Sequence, residues 1–314
     1  MLAEREFGNR MPDYIHIEVG QSIISKTNVW YRCVQHLGTG GNAVVYLVLA
    51  TSGQNNGVLF ALKIFRKLSK PDRRQRFLEE IAFLQNCSHP SLMRVVDLGV
   101  FTVGGNEFPF VVAEFLPLTL SDLIRADSAS IAQKLSYVLQ LLSALNYLAT
   151  LTPQVVHRDI KPHNIFVKGG SAVLGDFGLM KLLDGNVEAD REVFKESVGP
   201  GMPFYYRTPD LIAYVKNEAD ITTKSDVFQL GLVVAQLFTG RNPAKPPEKH
   251  FDPLELEPLS LIPGGLGGSI ANLIHRMLII DRGPRPEASA LMDPWRGIFT
   301  EAVERAHALE GKAI

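Results

Sequence analysis

The chain has 314 residues, 46% of them hydrophobic, and its 32 basic and 33 acidic side chains nearly cancel. A chain of this size can bury a substantial core, in one large domain or two smaller ones. The net charge of -1 gives no reason to expect a nucleic acid, a membrane surface or a strongly acidic partner. Neither a signal peptide nor a run of about 18 apolar residues is found. We therefore expect a soluble cytoplasmic protein in which Cys33 and Cys87 are free thiols.

Residues 1–25 contain no motif that we can interpret, and an added strand, a tether and a docking segment all stay open. From Trp30 to Val112 the sequence is typical of a β-sheet. Its runs of β-branched and aromatic residues, such as VVYLVLA and FPFVVAEF, are separated by turn sequences. One helix is predicted among these strands, beginning at Pro71, where proline suits a first turn, and ending near Gln85.

After Pro117 the sequence predicts mainly helices. Apolar residues recur at helical spacing from Ile131 to Leu145, behind Ser128 and Ser130 as N-cap candidates. Two further helices are predicted near the end of the chain, over 269–279 and 287–307.

The run SDVFQLGLVVAQLFTG, from Ser225 to Gly240, is apolar almost all round. This composition predicts a helix that is buried on every side. Ser225 or Asp226 is expected to cap its start, and Gly240 is expected to end it.

The stretch LGTGGNAVVY, from Leu37 to Tyr46, places glycines between two predicted strands. Glycine lets a backbone approach a phosphate closely and lets amide N–H groups point at it. An ordinary hairpin turn would explain the same glycines, so this stretch alone leaves both interpretations open.

A carboxylate lies on the apolar face of the predicted helix that begins at Pro71. At 100° per residue, Glu80 falls in the stripe formed by Phe77 and Ile81. A buried carboxylate needs a cationic partner, unless it reaches solvent at the edge. We predict that this partner is Lys63, which is itself out of place in the apolar strand VLFALKIF.

Two polar segments adjoin apolar strands. In VVHRDIKPHNIFV, residues 155–167, the apolar flanks must enter a core and hold the charged residues between them at a rigid surface, as in a catalytic loop. In LGDFGLM, residues 174–180, Asp176 stands alone at a strand end. A turn aspartate is the alternative explanation of Asp176.

Together these motifs resemble the eukaryotic-type (Hanks-type) protein kinase family, in its serine/threonine branch, from about residue 30 to 300. The glycine loop, FALK, Glu80, HRDIKPHN and DFG occur in the family's order. TPD at 208–210 stands in place of the family's Ala-Pro-Glu, and DRGPRPEA supplies Arg285, the usual partner of that Glu. The resemblance implies an α+β, bilobal fold with a small antiparallel β-sheet N-lobe carrying one helix and a larger, mainly α-helical C-lobe.

The resemblance also implies domain limits. Residues 1–25 would be an N-terminal extension of unknown role, and 26–314 a catalytic domain. Within it the N-lobe would cover about 26–113, the hinge about 114–117 and the C-lobe about 118–314.

The family transfers the γ-phosphoryl group of ATP to a protein hydroxyl, with magnesium, or alternatively manganese, as metal cofactor. The resemblance makes Asp159 the group that accepts the hydroxyl proton and Lys161 the cation on the transferring phosphoryl group. Asn164 would join this catalytic set and hold the metal together with Asp176, whereas His157 would pack. Protein substrates are the expected partners, and the oligomeric state is left open. ATP would be bound by Leu37, Gly38, Gly40, Gly41, Ala43, Val45, Ala61, Lys63, Glu80, Ala113, Glu114, Phe115, Leu116, Phe166 and Asp176.

Several positions depart from the family pattern. Ala43 replaces the third glycine of the loop, and Asn42 replaces the aromatic residue at its tip. Ala113, behind the adenine, is small and predicts susceptibility to bulky ATP-competitive compounds. Asp210 in place of Glu shortens the reach to Arg285 by one methylene.

The acceptor residue and the regulation are ambiguous in the sequence. Pro203, where serine/threonine kinases usually carry threonine, is reminiscent of tyrosine kinases, but Lys161 belongs to the serine/threonine pattern. We follow Lys161, because it would act on the phosphoryl group itself. Arg158 predicts that an acidic or phosphorylated group between 179 and 207 orders the site, with candidates Ser197, Glu192 and Glu196. An ordinary loop serine is the alternative explanation of Ser197.

Two rival functions share parts of this pattern. A catalytically weak pseudokinase or scaffold would have the same fold, although every residue required for transfer is found here. A small-molecule phosphotransferase of the aminoglycoside or choline kinase type would lack SDVFQLG with its distant Arg285, and would usually replace RDIK. A pure binding module would not explain a Lys63–Glu80 pair beside two metal ligands.

Overall fold

The computed structural model describes residues 15–183, 187–201, 204–245 and 252–310. They form two compact units, the first made of residues up to 88 together with 93–115, the second of 89–92 and the chain from 116 onward. Strands dominate the first unit and helices the second, which confirms the predicted α+β class.

The first unit contains a six-stranded antiparallel sheet. Its spatial order is β1-β2-β3-β4-β6-β5. The strands are β1 (Ser22–Ile24), β2 (Trp30–Thr39), β3 (Ala43–Ala50), β4 (Leu59–Phe65), β5 (Val95–Val103) and β6 (Asn106–Glu114). One face packs into a buried cluster that includes Tyr46, Val48 and Leu62.

The opposite face of this sheet packs against α1 (Pro71–Asn86), which begins at the predicted residue. Phe77 of this helix forms a buried cluster with Phe65 of β4 and Val111 of β6. Side chains alternate along a strand, so Lys63, two residues before Phe65, lies on the same face as α1.

Residues 15–25 belong to the core and the sheet of the first unit. Ile15 and Ile17 are buried in the cluster that contains Tyr46. The backbone N–H of Ile17 donates to the Tyr46 hydroxyl at 3.1 Å. Ile23 lies in β1, which pairs antiparallel with β2. Of the alternatives left open for residues 1–25, an added strand describes Ser22–Ile24, whereas residues 1–14 lie outside the described residues.

The second unit is mainly helical. Its helices are α2 (Leu120–Ala126), α3 (Ile131–Thr150), α4 (Val187–Gly201), α5 (Pro209–Val215), α6 (Lys224–Thr239), α7 (Gly267–Met277) and α8 (Ala288–Glu310). The sequence predicted α3, α6, α7 and α8 but not α2, α4 and α5. α2 and α5 have 7 residues each, too short for a periodic signal. Across the described ranges, no helix combines the length and the apolar character needed to cross a membrane.

Short strands anchor the polar segments of the second unit. They are β7 (Leu118–Thr119), β8 (Val155–Val156), β9 (Ile165–Lys168), β10 (Ser171–Leu174) and β11 (Lys181–Leu182). β9 pairs with β7 and β10, and β8 pairs with β11. The loop from His157 to Asn164 therefore begins and ends at strands, as its apolar flanks predicted.

Helix α6 is buried on nearly every side, as predicted. Its N-cap is Thr223, which makes no side-chain capping bond, so the expected capping by Ser225 or Asp226 is wrong. The Asp226 carboxylate instead accepts the backbone N–H of His157. Gly240 ends the helix with a φ of 75°, a left-handed conformation that glycine adopts without strain.

We expect Ile17→Ala to lower the free energy of unfolding by about 3 kcal/mol, because the truncation leaves a cavity in the core. The Ile17 side chain is 1% exposed. Val19→Ala is the matched control, since Val19 is 74% exposed and its truncation should cost less than about 0.5 kcal/mol. Urea unfolding followed by intrinsic fluorescence measures both values. Equal stability of the two variants would contradict the placement of this segment in the core.

Candidate functional site

Helix α6 holds the backbone of the loop between β8 and β9. Asp226 Oδ2 accepts the His157 N–H at 2.7 Å, and its Oδ1 accepts the Arg158 N–H at 2.9 Å. One turn further along α6, Gln229 Oε1 accepts the Ile160 N–H at 2.9 Å. Burial raises the pKa of Asp226 to about 7, although the two backbone hydrogen bonds act in the opposite direction.

The ring of His157 is fully buried. Its Nδ1 accepts the backbone N–H of Asp159 at 3.3 Å, and its Nε2 donates to the Gly175 carbonyl at 3.1 Å. The ring also meets Phe177 edge to face, with 4.5 Å between the centroids. Burial lowers the pKa of His157 to about 4, so the imidazole is neutral at pH 7. These contacts confirm the predicted packing role.

Two side chains converge on Asp159, which is 5% exposed. Lys161 Nζ lies 3.0 Å from Oδ1 and 2.7 Å from Oδ2 of Asp159. Asn164 Nδ2 donates to Oδ2 at 2.8 Å and to the backbone carbonyl of Asp159 at 2.9 Å. Burial raises the pKa of Asp159 to about 6, although the charge of Lys161 opposes the shift. The carboxylate is therefore ionised at pH 7 and able to accept a proton.

Asn164 and Asp176, the two predicted metal ligands, both lie in the second unit. Because Nδ2 of Asn164 is bonded to Asp159, the amide oxygen is the atom that can bind a cation. Asp176 follows β10, its side chain is exposed, and its φ of 58° is left-handed, a conformation that is uncommon outside glycine and concentrates at functional sites. Magnesium takes oxygen ligands and is usually held in proteins by one or two carboxylates, so a carboxylate and an amide oxygen fit the metal.

The predicted ion pair of the first unit forms between β4 and α1. Lys63 Nζ lies 2.8 Å from Oε1 of Glu80, and the Glu80 side chain is 6% exposed against 26% for Lys63. Lys63 Nζ also lies 5.8 Å from the centre of the Phe77 ring. The pair therefore fixes the lysine while leaving part of it accessible to an anion.

Two arginines hold the tip of the glycine loop, which lies in the turn of the β2–β3 hairpin. Arg66 Nη2 donates to the Gly40 carbonyl at 3.1 Å. Arg73 Nη1 donates to Oδ1 of Asn42 at 2.9 Å. Asn42 therefore fixes the loop tip through a polar contact. Arg66 and Arg73 were not predicted from the sequence, because only the fold brings α1 and the end of β4 to this turn.

The other residues predicted to bind ATP are divided between the two units. Ala61 of β4 is paired in register with Ala113 of β6 and Leu47 of β3, which together form one row of side chains across the sheet. Lys63 and Val45 belong to the next row on the same face. These rows lie on the α1 face of the sheet. The first unit also carries Leu37, Gly38, Gly41, Ala43, Glu114 and Phe115, whereas Leu116 and Phe166 belong to the second.

Asp190 of α4, which no sequence motif had indicated, pairs with Arg158. The two terminal nitrogens of Arg158 lie 2.7 Å and 3.1 Å from its two carboxylate oxygens, a bidentate ion pair. The Tyr214 hydroxyl donates to Asp190 at 2.6 Å, and Lys181 Nζ lies 3.4 Å away. Burial opposes the ionisation of Asp190, but the Arg158 charge and these bonds outweigh it and hold the pKa at about 2.

Asp190 therefore takes the place expected of Glu192 or Glu196, both of which are exposed. The helical period explains why Asp190, and neither Glu192 nor Glu196, faces Arg158. Asp190 shares a face with Phe194, four residues on, whose ring lies 4.2 Å below the Arg158 guanidinium. The side chain of Ser197 and the whole of Pro203 lie outside the described residues.

The predicted ion pair between Asp210 and Arg285 also forms. Both residues are buried, and Nη1 of Arg285 lies 2.5 Å from Oδ2 of Asp210. The guanidinium also donates to the backbone carbonyls of Lys224, Ile279 and Ile280. These carbonyls place Arg285 within reach of the shorter carboxylate.

The site residues described above all lie in the part of the chain that matches a known protein family. Residues 31–295 match the family model described as "Protein kinase domain". That range includes every residue predicted to be catalytic, to bind ATP or to hold the metal.

Individual relatives are similar over part of their length. "Serine/threonine-protein kinase WNK3" of Mus musculus is 31% identical over 182 residues, 57% of this chain and 10% of the mouse protein. "Serine/threonine-protein kinase WNK" of Caenorhabditis elegans is 28% identical over 283 residues, 85% of this chain and 14% of the worm protein. The chain thus spans only a small part of the length of these relatives.

We expect Asp190→Ala to lower the free energy of unfolding by about 3 kcal/mol, because it leaves the buried Arg158 charge without its carboxylate. Asp220→Ala is the matched control: Asp220 pairs with Arg191 at 3.4 Å but is 74% exposed, so its loss should cost about 0.5 kcal/mol or less. Denaturant unfolding at pH 7 measures both, and equal losses would contradict the buried pair.

The same pair predicts a dependence on pH. The folded-state pKa of Asp190, about 2, lies below the value of about 4 expected in the unfolded chain. Its contribution to stability is therefore complete above about pH 4 and is lost as the pH falls towards 2. The difference in stability between wild type and Asp190→Ala should consequently stay constant from pH 7 down to about 4.5.

Proposed function

Since the chain belongs to the protein kinase family, we propose that it transfers the γ-phosphoryl group of ATP to serine or threonine hydroxyls of protein substrates. The observation that carries this proposal is Asp159, a buried and ionised carboxylate in contact with a lysine and an asparagine. The catalytic domain would comprise 26–314, with 15–25 completing its sheet. A cytoplasmic location agrees with the free thiols Cys33 and Cys87.

Asp159 would accept the proton of the acceptor hydroxyl. Burial raises its pKa to about 6, which is close to neutral pH and suits a group that must be ionised yet still able to take up a proton. Lys161, in contact with both of its carboxylate oxygens, would supply positive charge next to the transferring phosphoryl group.

ATP would be held by groups that are already fixed before it binds. Lys63, which is paired with Glu80, would contact the phosphates, and the glycine loop, which Arg66 and Arg73 bond, would offer its backbone amides. Fixed groups lose little entropy on binding and need no reorganisation during the reaction. When bound by Asn164 and Asp176, a magnesium or manganese ion would neutralise charge on the phosphates.

Serine or threonine is the acceptor that the site supports best. Lys161 is two residues from Asp159 in sequence and is bonded to its carboxylate, and this contact supports a role of the lysine at the phosphoryl group. The mouse and worm relatives are both named serine/threonine-protein kinases, which supports the same choice.

We expect Asp159→Asn to lower phosphoryl transfer by about 1,000-fold, because the amide keeps the shape of the carboxylate but cannot take up the proton. Asp293→Asn, at a side chain that is 86% exposed, is the matched control and should retain full activity. Both variants and wild type would be incubated with magnesium and labelled ATP, alone and with dephosphorylated casein. Mass spectrometry then identifies the phosphorylated residues.

Each result distinguishes the alternatives. Phosphoserine or phosphothreonine that disappears in Asp159→Asn supports the proposal. Phosphotyrosine would show that Pro203 was the better guide to the acceptor. ATP binding without transfer to protein would favour a small-molecule phosphotransferase, and a wild type that does not bind ATP would favour a pseudokinase or scaffold.

The small side chain of Ala113 predicts sensitivity to bulky ATP-competitive compounds. Ala113 lies on β6 opposite Ala61, so that two short side chains face each other across the strands. We expect Ala113→Met to raise the inhibitory concentration of such a compound about tenfold or more through steric exclusion, with little change in the KM for ATP. Dose–response curves of the two proteins measure this, and equal inhibition would contradict it.

A further inference from the structure

Gln229 is a fully buried polar side chain that the proposed mechanism does not use. It lies on α6, a helix whose other buried positions are mostly apolar. An amide in such a place must be hydrogen-bonded, since burying it without partners would cost several kcal/mol. All of its bonds end on backbone atoms of other segments.

Two of these bonds hold the peptide groups on either side of Asp159. Oε1 of Gln229 accepts the Ile160 N–H at 2.9 Å, and Nε2 donates to the Arg158 carbonyl at 3.0 Å. The third bond runs from the same Nε2 to the Tyr206 carbonyl at 2.9 Å. Tyr206 lies in the short turn Phe204–Tyr206, three residues before α5 begins at Pro209.

One side chain thus uses its acceptor and both amide protons to join two segments that are distant in sequence. Arg158 and Tyr206 share the same donor nitrogen, so a movement of either segment disturbs the bond to the other. Asp226 bonds the loop as well, but its two bonds end on the N–H groups of His157 and Arg158, before Asp159. Among the side-chain bonds from α6, those of Gln229 reach both sides of Asp159.

We propose that Gln229 is a positioning residue, which fixes the backbone around Asp159 and couples it to the Tyr206 segment. This inference rests on the proposed function, in which Asp159 receives the proton of the acceptor. The side chain of Gln229 touches neither ATP nor acceptor in that mechanism. Displacing a reacting group by about 1 Å can cost about 100-fold in rate, so loss of these bonds should lower kcat.

The test compares two glutamines on the same helix. Gln229→Met keeps the length of the side chain and removes all three bonds. Gln236→Met is the matched control, because Oε1 of Gln236 accepts the Tyr206 hydroxyl at 2.6 Å and so contacts the same tyrosine without reaching Asp159. Gln229→Glu keeps the acceptor for the Ile160 N–H but loses both amide protons, and it carries the test if Gln229→Met does not fold.

Three quantities are measured on the full chain: kcat, the KM for ATP, and amide hydrogen exchange of the peptide that contains Ile160. We expect Gln229→Met to lower kcat about tenfold or more with an unchanged KM for ATP, and to speed exchange at Ile160. Gln229→Glu should lower kcat while Ile160 stays protected. Gln236→Met should leave kcat and this exchange unchanged, at a temperature where all variants are folded.

Two results would overturn the inference: a kcat of Gln229→Met within about twofold of that of Gln236→Met, or wild-type exchange at Ile160 in Gln229→Met. Failure of the proposed function has a different signature. In that case wild type transfers no more phosphate than Asp159→Asn, and faster exchange at Ile160 in Gln229→Met still decides whether Gln229 holds the loop.

Discussion

The hydrogen bonds from α6 to the loop between β8 and β9 are the constraint on which the second unit depends. A buried backbone N–H without an acceptor is costly, so this loop can be buried only where acceptors are supplied. Asp226 and Gln229 bond the N–H groups of residues 157, 158 and 160 in the first half of the loop, and the His157 ring bonds that of Asp159. These bonds hold the peptide groups on both sides of Asp159, which is 5% exposed and whose carboxylate contacts Lys161.

Ion pairs hold other segments together. Arg158 joins the loop to α4 through Asp190, and Arg285 joins the segment before α8 to α5 through Asp210. In the first unit, Glu80 holds Lys63. The free-energy cost of removing two charges from water offsets much of their mutual attraction. The main contribution of such a pair is therefore to fix the relative position of the two segments that it joins. Each pair fixes the position of a charged side chain, and a reaction between charged groups requires such fixed positions.

The helices that the sequence predicted well are those marked by an apolar pattern or a capping residue within the helix itself. The apolar face of α1, the capping serine of α3 and the all-apolar run of α6 each act within one element, and all three helices form. Glu80 was identifiable because a charge on an apolar face demands a partner, and Lys63 was the other misplaced charge. The pairing of residues 15–25 with the sheet could not be predicted, because it depends on Tyr46 and β2, which are distant in sequence.

The sequence by itself determined the order of the motifs, the α+β class and the chemical types of the reactive groups, because each of these is a property of local composition and spacing. Only the tertiary structure decided which acid meets Arg158 and which side chain holds both peptide groups beside Asp159. Asp190 and Gln229 have no local signal, since an aspartate in a polar helix and a glutamine in an apolar one are each compatible with many roles. Their partners come from elements 32 and 69 residues away, and only folding brings them within hydrogen-bond distance.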